Sequence, residues 1–179
     1  MKATELKATK SRKIVMFGMA CGISLFAGQA LADLLYSGTN INPQSMPPMA
    51  NGAFLALPAA AATFSTTVPN TRVVITFSAE CIVGGGFNNY LDINLFVDPA
   101  GPTGATLVNP TAGNNTMFCS GAGYPNPLPP GLEGFTSVVQ GVAVIPTTGV
   151  HSVRVQMTSF GSVPAPTWRI DDLTLVVEK

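Results

Sequence analysis

Charged side chains are scarce in this sequence. Asp, Glu, Lys and Arg make up 10% of its 179 residues, against about 25% in an ordinary soluble domain. Cations are scarcer still along most of the chain: after Lys13 the only basic residues are Arg72, Arg154, Arg169 and Lys179. A nucleic-acid surface needs clustered Lys or Arg to neutralise phosphates, so that class of partner is excluded. There is one histidine, His151, too few for the His clusters of a zinc centre. No G-x-S-x-G elbow is present to carry a nucleophilic serine. Gly84-Gly85-Gly86 opens no helical pattern, so it has no claim on phosphate. Neighbouring carboxylates on a strand, such as Asp171 and Asp172, point to opposite faces, which is poor geometry for a glycosidase pair. The chain is read as non-catalytic.

Membrane-length apolar runs are missing too. The longest, residues 14–26 (IVMFGMACGISLF), has 13 residues, short of the roughly 20 that a spanning helix needs. Its flanks give it another meaning. Lys10, Arg12 and Lys13 precede it, and Ala30-Leu31-Ala32 follows, with small side chains where a signal peptidase must accommodate them. Residues 1–32 are therefore read as a cleavable secretory signal peptide of bacterial type, and the expected destination is secreted or periplasmic. Two alternatives compete. One is a retained anchor. The other is lipoprotein processing at Cys21, although Gly18-Met19-Ala20 lacks the leucine usual three positions before such a cysteine. The C-terminal Val177-Glu178-Lys179 forms no apolar tail or sorting signal, so release without membrane insertion is expected. Beyond Ala32, eight acids face four bases, and the mature part is net acidic.

Removing the signal leaves two cysteines, Cys81 and Cys119. An even count in an oxidising compartment reads as a disulfide. Closing a loop of about 39 residues would stabilise the fold by about 4 kcal/mol in the chain-entropy model. Two buried free thiols or a metal pair are the rival readings, but there is no Cys-x-x-Cys spacing and His151 lies far off.

Sustained helical periodicity is absent as well, and a period of two takes its place. The chain carries 18 glycines and 15 prolines, which punctuate short strands more readily than long helices. Residues 33–60 look irregular, broken by Pro43, Pro47, Pro48 and Pro58, with short strands expected at 33–37 and 53–57. Strand signals sharpen at residues 63–68 and 72–81. In residues 90–97, Leu91, Ile93, Leu95 and Val97 share one face, with Asp92 and Asn94 on the other. That is half-buried strand periodicity. Further strands are expected at 105–108, 135–145 with a bulge or bend at Gly141, 150–158 and 167–178, while residues 115–120 carry Cys119. Residues 124–131 (YPNPLPPG) form a proline-stiffened loop. Short strands with frequent turns predict an all-β fold: an antiparallel β-sandwich of jelly-roll form with one disulfide, as a single domain over 33–179.

The segment with most chemistry is residues 168–177 (WRIDDLTLVV). An Asp-Asp pair opening an apolar final strand places one carboxylate toward the interior, and a buried acid needs a partner. The I-D-D-L-T-L run resembles the closing strand of carbohydrate-binding jelly rolls of the galactose-binding-like superfamily. That superfamily's Asn-Gly-Phe-Glu opening has only an imperfect echo in Asn51-Gly52-Ala53-Phe54. The resemblance implies a structural Ca²⁺ with Asp171 or Asp172 as a ligand. The competing reading is an Asp hydrogen-bonded to loop backbone, since a hard cation wants six to eight oxygens. Sugars stack on exposed aromatic rings, and the candidates are Trp168, Tyr124, Tyr90 and Phe87. Trp168 is read either as a rim ring or as plain core, and Tyr124 as the more exposed.

Two functions follow. One is a secreted, non-catalytic binding module for a glycan, with calcium as its candidate cofactor. The other is a structural or adhesive subunit that associates with itself as a homo-oligomer. The second draws on the near absence of lysine, which natural sheets use to protect their edges. Residues 59–68 could serve there as an exchanged or edge-added strand, or as an ordinary internal one.

Overall fold

β-Branched and aromatic residues at alternate positions place one face of each segment in a core and the other outside. The computed structural model describes residues 33–46, 52, 54–85, 88–98, 106–108, 117–121, 124–161 and 166–179. Residues 1–32, whose pattern is read as a secretory signal, and Phe87 lie outside the described residues. Ten strands follow one another: β1 (Leu34–Asn40), β2 (Gln44–Met46), β3 (Phe54–Thr66), β4 (Thr71–Val83), β5 (Tyr90–Val97), β6 (Thr106–Leu107), β7 (Met117–Ser120), β8 (Phe135–Ile145), β9 (Gly149–Phe160) and β10 (Trp168–Glu178). Among the described residues there is no helix.

The strands form two five-stranded sheets. The first runs β1-β10-β4-β8, with β2 on the same side of β10 as β1. The second runs β3-β9-β5-β6, with β7 beside β6 along β5. Every pairing is antiparallel. Taking β1 with β2 and β6 with β7 as single positions, consecutive strands alternate between the sheets except at β5 to β6–β7, which are neighbours in the second sheet, and the last strand lies beside the first. That is the winding of a jelly-roll sandwich, as the sequence predicts. Strand β8 has the bounds expected. β3 differs: it runs thirteen residues, through Pro58 and the alanines, where two shorter strands are expected. Its irregularity is a register break against β9 between Ala56 and Ala61, which accommodates the proline at a sheet edge.

The core lies between the sheets. Val73, Ile75, Phe77 and Ala79 of β4 face Leu91, Ile93 and Leu95 of β5 and Val153, Val155 and Met157 of β9 in one buried cluster. Each such aliphatic or aromatic side chain contributes about 1.5–3 kcal/mol on burial. Cys81 of β4 and Cys119 of β7 are joined in a disulfide with their Cα atoms 6.0 Å apart. It ties the first sheet to the second. Gly141 is not a bulge: β8 keeps unbroken register with β4 from Cys81↔Phe135 to Thr71↔Ile145, and Gly141 simply pairs with Ile75.

The bulge falls on β10 instead. Trp168 and Ile170 are buried before it, Leu173, Leu175 and Val177 after it, so the inward parity changes between residues 170 and 173. Asp171 pairs with Glu80 and Thr174 with Ser78, which gives β10 one extra residue. Asp172 absorbs the change at φ 45°, a left-handed conformation that Asp tolerates better than most residues. Without this bulge Asp172 would follow Trp168 and Ile170 inward. With it, Asp172 is exposed and Asp171 half-buried. The expectation of an inward carboxylate here is therefore corrected.

Candidate functional site

Strand β4 ends at Val83, and the chain there is clasped by the loop from Tyr124 to Leu132. Gly84 N–H donates to Thr167 O at 2.7 Å and Gly85 N–H to Tyr124 O at 2.8 Å. Thr167 is the hub. Its N–H and hydroxyl donate to Asn126 Oδ1 at 3.1 and 2.9 Å, and its Oγ1 accepts Leu128 N–H at 3.1 Å. The approach is close enough that a Cβ on Gly84 would stand 2.7 Å from Pro125 O. Only glycine fits there. Between the loop and the sheet lies a cavity of about 300 Å³, walled by Pro127, Pro129, Pro130 and Leu132 and touched by Trp168 and Arg169.

The ligand residues suggested by the sequence separate at this point. Trp168 is only 2% exposed and belongs to the core; its indole Nε1 is buried with no hydrogen-bond partner. It offers no face for a sugar to stack on. Tyr124 is half-buried, and its ring leans on Phe135 at a centroid distance of 6.5 Å. Tyr90 lies in a stacked cross-strand pair with Phe160, centroids 5.0 Å apart. The Asp171 carboxylate accepts the N–H of its neighbour Asp172 at 2.9 Å, a bond within strand β10 and not to a loop. Among the described residues no three His, Cys, Asp or Glu side chains come together as a metal site.

Two polar features were not foreseen. His151 is buried at the end of the sandwich where β3, β5 and β9 meet. Its Nδ1 lies 2.8 Å from Asp98 Oδ2, and its Nε2 lies 3.2 Å from both Thr66 Oγ1 and Thr147 O. Asp98, at φ 51°, also accepts Ser152 N–H at 2.8 Å. A hydroxyl, an imidazole and a carboxylate in line have the order of a hydrolytic triad. Here, however, the Thr66 hydroxyl is buried and donates to Thr147 O at 2.9 Å. The set therefore acts as a hydrogen-bonded latch across strand ends. Its only sequence signal was Asp98-Pro99 at a strand terminus.

The second feature is Asp92. Its alternation with Leu91 and Ile93 suggests the solvent side, yet it is 1% exposed and β5 is buried on both faces from Leu91 to Leu95. Neither carboxylate oxygen has a hydrogen-bond partner, and neither does Oγ1 of Thr158, its cross-strand neighbour. Burial raises the carboxyl pKa from 3.8 to about 6.

Large apolar side chains stand exposed elsewhere, among them Phe54, Met117, Phe135, Val138, Val144 and Val150. Of the nine such side chains among the described residues, three lie on the single strand β8, which closes one edge of the first sheet.

The chain is thus a disulfide-bonded jelly-roll sandwich with an apolar edge. No protein-family model matches it, and no curated protein does. Solved structures of infectious bursal disease virus are similar to it. One, of the Gx strain, has a TM-score of 0.44 at 14% identity over 84% of this chain; another, the VP2 subviral particle, has a TM-score of 0.44 at 16% identity over 80%. Each match takes in 32% of the other chain, so this chain spans about a third of the length of those chains.

Proposed function

We propose that this protein is a structural subunit that works outside the cytoplasm by associating with copies of itself. The observation that carries the reading is the concentration of exposed Phe135, Val138 and Val144 on one strand of a chain with so few charges. Isolated exposed apolar residues are ordinary, but a long, uncharged edge strand that exposes several of them suits association with another strand. The leader pattern of residues 1–32 and the Cys81–Cys119 disulfide support an oxidising destination. The test is the molar mass of the protein, expressed from the full chain and purified, by size exclusion with light scattering. A defined oligomer is expected; a monomer at every concentration overturns the reading.

A second reading is a binding module, supported by the cavity of about 300 Å³ under the proline loop. Its ligand contacts would be Arg169 and the proline walls, because Trp168 is core. A glycan of this kind would dock without ring stacking, and a structural Ca²⁺ would add ligands to Asp171 or Asp172. Glycan-array screening of wild type beside Arg169→Ala tests it: a specific signal lost in the variant is expected, and no signal in wild type removes the reading.

A further inference from the structure

The geometry points to the free edge of β8 as the seam of that association: a second copy of the chain pairs with it antiparallel, β8 against β8, and fuses the two first sheets into one. This rests on the self-association reading and adds its partner and its surface. Strand β8 hydrogen-bonds to β4 on one side in unbroken register over eleven residues. Among the described residues no strand pairs with its other side. An edge of that kind presents a row of unpaired N–H and C=O groups, a template for another strand.

Sheets normally blunt such edges with charge, proline, a bulge or shortness, and the other edges here do so. β3 carries Pro58 and the break between Ala56 and Ala61. β6 has two residues and β7 four. The β1–β2 edge is split at residues 41–43, which include Pro43, and ends in the Lys179–Asp33 ion pair at 3.1 Å. β8, FTSVVQGVAVI, has none of these devices.

The occupant that suits this edge is a second copy. Beyond Ala32 each copy carries eight acids against four bases, and β8 carries no charge, so two copies can approach along it without like-charge repulsion between the paired strands. The strand is also compatible with itself. An antiparallel pairing centred on Gly141 sets Val138 opposite Val144 of the second copy, and Gln140 opposite Val142. Val138 is 63% exposed and Val144 55%, and cross-strand β-branched pairs of this kind stabilise a sheet. A two-fold axis closes the assembly at two copies and leaves no free β8 edge.

The experiment compares wild type, Val138→Lys/Val144→Lys and Val150→Lys, each expressed from the full chain. Val150 is 76% exposed but lies on β9 of the other sheet. Light scattering from about 1 to about 100 µM should show dimers for wild type and Val150→Lys, and at least tenfold weaker association for the double variant, with an unchanged circular dichroism spectrum. Hydrogen exchange on wild type supplies a check that needs no variant: β8 amides should slow as concentration rises. A wild-type oligomer that persists in the double variant, or one dissolved by Val150→Lys, puts the seam elsewhere while self-association stands. If the double variant fails to fold, β8 amides that exchange equally fast at both concentrations overturn the seam. A wild type that stays monomeric removes both readings.

Discussion

An ionisable side chain with nothing to bond to is costly inside a protein, and Asp92 is such a group. Its folded pKa of about 6 lies above the ordinary value of 3.8, so folding favours the protonated acid. Stability from this site is fully present below the ordinary pKa and is lost as pH rises through about 6. The Asp92→Asn variant keeps the shape and removes the charge. It should be more stable than wild type at pH 7.5 by about 1–2 kcal/mol, after allowing for solvent screening, with no gain at pH 3.5. Melting curves at both pH values check this, and an equal difference at the two would remove the titration argument. Sequence alone misplaces this residue because strand alternation tells the two faces of a sheet apart but not whether the second face is covered. The latch at His151 was hidden by distance along the chain: its partners Asp98 and Thr66 are 53 and 85 residues away, and only the winding of the chain brings three strand ends together.

At the scale of elements, the legible parts were those in which a local pattern and a tertiary demand agreed. The β-branched alternation of β4 and the apolar face of β9 were readable because one face of each meets the core. β8 was readable to its bounds, since Gly134 precedes it and Pro146 follows it. What escaped was the break in period. In β10 the alternation Trp168, Ile170 predicts an inward residue 172, and the chain instead spends one extra residue so that Leu173 can enter the core. The acids at 171 and 172 are the signature of that bulge: Asp172 takes the left-handed φ, and Asp171 receives its N–H. An Asp-Asp pair in a strand can thus mark backbone geometry as readily as a metal. β3 teaches the converse. Pro58 suggests an end, but an edge strand has N–H groups that need no ladder partner, so the strand passes through it.

At the scale of the whole molecule, the two sheets are held by a shared apolar core and by one covalent link. Cys81 lies at the end of β4 in the first sheet and Cys119 on short β7 in the second. Of the second sheet's strands, β7 and β6 are the shortest, and β7 has few backbone hydrogen bonds of its own to hold it on β5. The bridge therefore restrains the weakest part of the sandwich as well as the unfolded chain. With the two cysteines 38 residues apart, Cys81→Ala/Cys119→Ala should cost about 4 kcal/mol in the chain-entropy model, within a usual range of about 2–5. Urea titration is the measurement. The midpoint should fall, and the slope should rise, because an unfolded chain without the cross-link exposes more surface. If the midpoint fell with the slope unchanged, the loss would lie in the folded state, at the β7 contacts. If neither moved, the core would hold the sheets together without the bridge.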